Sequence, residues 1–83
     1  MRKISQNTFV LSGNVEIDEL NEKFDEINLP VEPSEYDTVA GFIINFLGRI
    51  PQVNEELVIG EHKFIISKAS PSKLETVKLI LIE

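Results

Sequence analysis

Tyr36-Asp37-Thr38-Val39-Ala40-Gly41-Phe42-Ile43-Ile44-Asn45-Phe46-Leu47-Gly48-Arg49-Ile50-Pro51 is the densest apolar run of the chain, with a helix start at one end and a helix stop at the other. Thr38 stands as the N-cap, its hydroxyl placed to accept from an amide of the first turn. Beyond it Val39, Phe42, Ile43, Phe46 and Leu47 fall at the i, i+3, i+4, i+7 and i+8 positions of one broad face, which Ala40 and Ile44 widen. Asn45 is the sole polar residue of the interior, so the helix is expected to be central and buried nearly all round. Gly48 is placed to end it in the left-handed conformation, and Pro51 bars continuation. Gly41 costs about 1 kcal/mol relative to alanine in mid-helix, which predicts that another strand or helix crosses closely there.

Upstream, Phe9-Val10-Leu11, a Ser12-Gly13-Asn14 turn and Val15-Glu16-Ile17 read as a short strand that reverses or kinks at the glycine. Asp18 stands as N-cap of a two-turn helix over residues 18–25, with Glu19 and Glu22 near the positive end of its dipole. Leu20 and Phe24 share one face, Ile17 extends it, and Glu19 is spaced to pair with Lys23. So short a helix draws its stability from burying that face. Pro30 and Pro33 make residues 26–37 a loop, with Ile27, Leu29 and Val31 as alternating apolar anchors.

Downstream of Pro51 the pattern changes from period 3.6 to period 2. Leu57-Val58-Ile59, a Gly60-Glu61 turn, residues 62–69, a Ser70-Pro71-Ser72 turn and Leu74 through Ile82 read as a meander of three antiparallel strands. In the last strand Val77, Leu79 and Leu81 alternate with Lys78, Ile80 and Ile82. Two outward isoleucines predict that the second face of the sheet is partly covered, by a partner or by the N-terminal strand.

With 83 residues, residues 8–83 make a single domain and polar residues 1–7 read as a linker or frayed tail. A domain this small buries only about 60–65% of its unfolded surface, leaving room for one sheet and a couple of helices. The 42% hydrophobic and 27% charged residues are those of a globular protein. The absence of cysteine excludes disulfides and thiolate chemistry. No apolar run reaches the ~20 residues of a membrane span, so this segment is expected to be soluble by itself, with no direct membrane insertion. A net charge of −6 argues against nucleic acid as a partner. The charge is uneven: residues 16–37 hold nine acids and one base, whereas residues 62–78 hold Lys63, Lys68, Lys73 and Lys78 against Glu75. Such asymmetry steers a cation or basic partner toward one face, or simply marks a solvated helix face and lysines guarding a sheet edge.

Val15-Glu16-Ile17-Asp18-Glu19-Leu20-Asn21, Tyr36 to Phe42, Leu47-Gly48-Arg49-Ile50-Pro51 and the strand pattern beyond them together resemble the transporter-associated domain of the CorC/HlyC family, from about Thr8 to Ile82. The signal is the joint spacing of Asp-Thr-x-x-Gly-Phe and Leu-Gly-Arg-Ile-Pro at the two ends of one helix. The family usually carries glycine where this chain has Asn54, and asparagine also tolerates positive φ. The resemblance implies an α+β fold, two helices on a mostly antiparallel sheet of about four strands, similar to part of FAD-binding oxidase-type folds. It implies a module at the cytoplasmic end of integral membrane proteins, haemolysin-related or exporting magnesium and cobalt, after a membrane domain and a CBS pair. The implied role is regulatory, through contacts with the CBS pair and the membrane domain, with no reaction and no cofactor. A homodimer stays open, as does a nucleotide-, flavin- or divalent-cation-sensing module.

The motif positions carried over are Asp37, Thr38, Gly41, Gly48, Arg49 and Pro51, none of them catalytic. Asp37 and Thr38 stand at a helix N-terminus, where amide donors favour an anion, yet the charges of Glu35 and Asp37 repel one, so the pair reads as a cap, with Glu35 and Asp37 as candidate ligand or partner contacts. Arg49 is placed to grip a phosphate or a carboxylate, or else to cap carbonyls or pair with the acidic loop. His62 stands alone and is expected on an exposed hairpin. The acidic stretch lacks the loop spacing of a calcium site, and no nucleophile–base pair or phosphate loop is present.

Overall fold

The computed structural model describes residues 1–82. In chain order its elements are β1 (Arg2–Lys3), β2 (Thr8–Ser12), α1 (Ile17–Lys23), α2 (Val39–Leu47), β3 (Glu56–Ile59), β4 (His62–Ser70) and β5 (Lys73–Leu81). The strands form one antiparallel sheet in the order β1-β2-β5-β4-β3. The period-2 pattern after Pro51 is thus a meander, and β2 joins it on the far side of β5. Phe9, Leu11, Leu57, Phe64, Ile66, Val77 and Leu79 face the helices, where they bury Ile17, Leu20, Val39, Phe42 and Ile43.

Five strands, not about four, make the sheet. Arg2 pairs with Val10 and Lys3 with Phe9, inside the segment that reads as a tail. The turn between them closes through Ile4 N–H donating to Thr8 O at 2.9 Å, and Lys3 Nζ reaches Glu26 at 2.7 Å. An edge strand pairs on one side only and tolerates charge, so it needs no apolar alternation to be seen in sequence.

The caps of α2 are local. Thr38 Oγ1 accepts from Gly41 N–H at 3.0 Å, and Gly48 takes φ 77° while its N–H donates to Ile44 O at 2.7 Å. Thr38→Ala is expected to cost about 1 kcal/mol, read as a thermal midpoint lower by about 4–8 °C, with Thr38→Ser retaining most of it. The helix is central but not buried all round: Val39, Phe42 and Ile43 are buried, whereas Asn45 is exposed and Phe46 keeps 56% of its surface in water. In a two-layer fold a helix has the sheet on one side and solvent on the other. Phe42 stands 6.0 Å from the Phe64 ring, and one turn further on the apolar stripe outruns the core.

The first helix departs from its expected cap. It begins at Ile17, Asp18 lies inside the first turn, and Glu16 precedes the helix without a side-chain cap bond. The Ile17 N–H instead donates to Asp37 O at 2.9 Å, and Glu16 bridges to Thr38. A long-range bond thus does the work of a local cap. Residues 15–17 form no strand for the same reason: Val15 O accepts from Val39 N–H at 3.0 Å, tying the two helix starts together. The helix ends at Lys23, with Phe24 N–H closing on Leu20 O.

The close approach expected at Gly41 occurs at Gly13. A Cβ on Gly13 would stand 2.2 Å from the Leu74 carbonyl oxygen, while at Gly41 the nearest atoms are Thr38 Oγ1 and Tyr36 Cβ at 3.2 Å. Among the described residues, no strand or second helix crosses α2 at Gly41. Gly13 also bonds on both sides, its N–H donating to Glu75 O at 2.8 Å and its carbonyl accepting from Ala40 N–H at 2.9 Å.

Candidate interaction site

The residues singled out in sequence do not converge. Glu35 and Asp37 are exposed on the loop before α2, and Arg49 is exposed just beyond it. A nine-residue helix holds the two ends about 13 Å apart or more. In the loop, Glu35 N–H and Tyr36 N–H both donate to Glu32 O, at 2.9 and 3.0 Å, and the Tyr36 hydroxyl donates to Pro30 O at 3.0 Å. Partial burial, with Glu32 and Glu35 nearby, pushes the Tyr36 phenol up from its ordinary value.

Arg49 pairs neither with helix carbonyls nor with the acidic loop. Its guanidinium grips Glu55 with both terminal nitrogens, Nη1 to Oε1 at 3.0 Å and Nη2 to Oε2, and Gln52 N–H also donates to Glu55 Oε1 at 3.0 Å. This fork closes the loop between α2 and β3, where Asn54 takes φ 72°. The hydrogen bond from Arg49, with that from Gln52, holds Glu55 at a pKa of about 2, below its ordinary 4.5. A carboxyl lowered on folding adds stability above its unfolded pKa and loses it as pH falls through the folded one. Glu55 is therefore expected to titrate near pH 2 in a carboxyl-detected NMR titration, and Arg49→Ala to return it toward 4.5. Beside the fork, Ile50, Pro51, Val53, Ala69, Ser70 and Pro71 line an open cleft of about 360 Å³.

His62 is not an exposed hairpin residue. Half-buried at the start of β4, it donates from Nε2 to the carbonyl of Ile27 and so pins the loop after α1. Asn21 ties the same loop, its side chain accepting from Leu29 N–H at 2.8 Å and donating to Leu29 O at 2.9 Å. Among the described residues, no three acids or histidines are grouped to hold a metal ion, and no helix is long and apolar enough to cross a membrane.

The larger continuous feature is the sheet face away from the helices. Its register sets Thr8, Ile80, Lys63 and Val58 in one row, Arg2, Val10, Lys78, Ile65 and Glu56 in the next, and Ser12, Thr76 and Lys68 in a third. Val10 and Ile65 are half-buried on either side of Lys78, Ile80 is half-buried beside Lys63, and Val58 at the edge is exposed. Lys63 Nζ meets Glu56 at 3.0 Å. The lysines and an outward Ile80 are legible in the sequence, whereas Ile82 lies beyond the end of β5, and only the register brings Arg2, Val10 and Ile65 into one row with Lys78.

The sequence matches the family described as the transporter associated domain, CorC_HlyC, over residues 2–83. It is 33% identical over 76 residues to Hemolysin C of Brachyspira hyodysenteriae, covering 82% of this chain and 28% of that protein. It is 31% identical over 83 residues to the Magnesium and cobalt efflux protein CorC of Buchnera aphidicola, covering 100% of this chain and 28% of that one. The chain thus spans little more than a quarter of the length of these relatives. The crystal structure of a CorC-associated region from Neisseria meningitidis superimposes with a TM-score of 0.85 at 25% identity, covering 98% of this chain and 96% of that one. The joined helix starts, the capped α2 and the five-stranded antiparallel sheet accompany a match along nearly all of the chain, which belongs to the CorC/HlyC transporter-associated domain family.

Proposed function

We propose that this chain is a non-catalytic regulatory domain of a membrane ion transporter, of the magnesium and cobalt efflux or haemolysin-like kind, and that it modulates transport through contacts with neighbouring domains. The observation that carries this is the family match over residues 2–83, in relatives of which the chain forms 28%. A domain of that share, with its chemistry-bearing residues used as caps, loop clamps and surface charge, acts by occupying one of two positions against its neighbours. The differential contacts it makes in the two states set the size of its effect. Its place in this reading is the cytoplasmic side of the membrane, beside a CBS pair and a membrane domain.

The test is deletion of the domain from the longer protein, with Mg²⁺ efflux measured in proteoliposomes at equal protein content. The expected result is a transporter that still inserts but whose efflux rate or its dependence on Mg²⁺ changes several-fold. Unaltered efflux at every concentration overturns the reading.

A further inference from the structure

We propose that the open face of the sheet docks an acid-rich amphipathic helix of a protein partner. Among the described residues, the paired rows of the face carry four cations, Arg2, Lys63, Lys68 and Lys78, against Glu56, which Lys63 already engages at 3.0 Å, with Glu75, next to Thr76 on β5, as the other acid of these strands. Arg2, Lys68 and Lys78 have no carboxylate partner among the described residues. This positive face belongs to a chain whose net charge is −6, because the acids of residues 16–37 lie on α1 and the loops around the helices. The domain is therefore polarised, and its open side selects negative charge.

Apolar contact accompanies the charge. Val10 and Ile65 flank Lys78 and Ile80 lies one row on beside Lys63, a half-buried apolar set running across β2, β5 and β4. A helix laid along such a set turns a two-layer fold into three layers, the usual way a sheet covers its second face. Its apolar residues would meet Val10, Ile65 and Ile80 while flanking glutamates or aspartates reach Lys63, Lys68 and Lys78.

Other occupants fit less well. A second copy placed face to face sets four cations against four. A lipid surface needs apolar side chains that protrude and insert, whereas Val10, Ile65 and Ile80 are half-buried and Val58, the exposed one, stands apart at the sheet edge. Strand addition at an edge is opposed by the two-residue, doubly charged β1 on one side and on the other by β3, four residues long and led by Glu56.

This inference rests on the reading of the domain as an interaction module, but its test needs no transporter. The ¹⁵N-labelled chain is titrated with a synthetic helical peptide bearing leucines on one face and glutamates beside them, with the same peptide carrying lysine for each glutamate, and with phosphatidylglycerol vesicles. The expected result is saturable amide shifts at Val10, Ile65, Lys78 and Ile80 with the acidic peptide alone. Lys68→Glu with Lys78→Glu should weaken binding about tenfold or more, and 300 mM salt should weaken it as well. Both lysines are on the solvent side, so an unchanged thermal midpoint certifies the fold of the variant. Shifts confined to α1 and its loop, equal binding of the basic peptide, binding to vesicles but not peptide, or no shift at millimolar peptide each overturn the proposal. Any of these leaves the regulatory reading standing, whereas unchanged efflux after deletion removes that reading without touching the titration.

Discussion

Phe64→Ala is expected to destabilise the domain by about 4 kcal/mol and to lower its thermal midpoint by about 15–30 °C. Phe64 is wholly buried on the inner face of β4, pairs with Leu79 and Leu57 on the two flanking strands, and meets Phe42 of α2 at 6.0 Å. Its removal opens a cavity where sheet and helix meet, and backbone hydrogen bonds on both sides of β4 keep the strands from closing on it. A domain of this size has only about 5–10 kcal/mol in total, so the variant stands near the edge of folding at 37 °C. Circular dichroism melts read the midpoint, and urea unfolding with an unaltered slope shows that the loss is in stability. Phe46→Ala is the matched control: that ring is 56% exposed, and its loss is expected to cost under about 1 kcal/mol.

The second large effect is expected at Gly13. Gly13→Ala puts a methyl group 2.2 Å from the Leu74 carbonyl oxygen, with Ala40 Cβ at 3.2 Å behind it. Neither neighbour is a flexible side-chain tip, so the strand end and the start of α2 must separate. The bonds Gly13 N–H to Glu75 O and Ala40 N–H to Gly13 O stretch with them. A cost of about 3 kcal/mol follows from backbone displacement in a packed site, and the midpoint should drop by about 12–24 °C. Gly41→Ala meets only side-chain atoms and Tyr36 Cα, at 3.2 Å or more, and gains helix propensity. Its midpoint should move far less. If Gly41→Ala proved the worse of the two, the assignment of the close approach to Gly13 would be wrong.

These two pairs also show what the residues alone reveal. The period-3.6 stripe of α2, its caps and the period-2 meander are local patterns, and each stands in the fold where its spacing puts it. What local pattern cannot carry is which of two equivalent residues faces a neighbour. Phe42 and Phe46 are interchangeable in the stripe, and only the extent of the sheet beneath separates them. Gly13 looked like an ordinary turn glycine because its close neighbour, Leu74, is 61 residues away in sequence. Asp18 had every mark of a cap, yet the orphan amide at Ile17 was met by Asp37 O across the fold. The candidate site is legible in composition, as a lysine-rich segment with Ile80 outward, and illegible in shape, since Ile82 falls beyond β5 and Ile65 takes a place no pattern gives it. Glu55, the partner of Arg49, carried no motif that would have named it.

The arrangement of β2 beside β5 has a mechanical side. The two strands run antiparallel with Thr8 opposite Ile80, so β2 begins where β5 ends, while β1 turns back along the outer edge of β2. A load applied through Arg2 and Leu81 must first strip the two pairs of β1, after which it falls on the Leu81–Asn7 and Thr8–Ile80 contacts and then on each pair in turn, opening the sheet like a zip. Strands loaded in shear would share the force among all their bonds at once. Once β1 is stripped, a domain pulled at Thr8 and Leu81 yields one bond at a time, as a compliant link rather than a rigid strut.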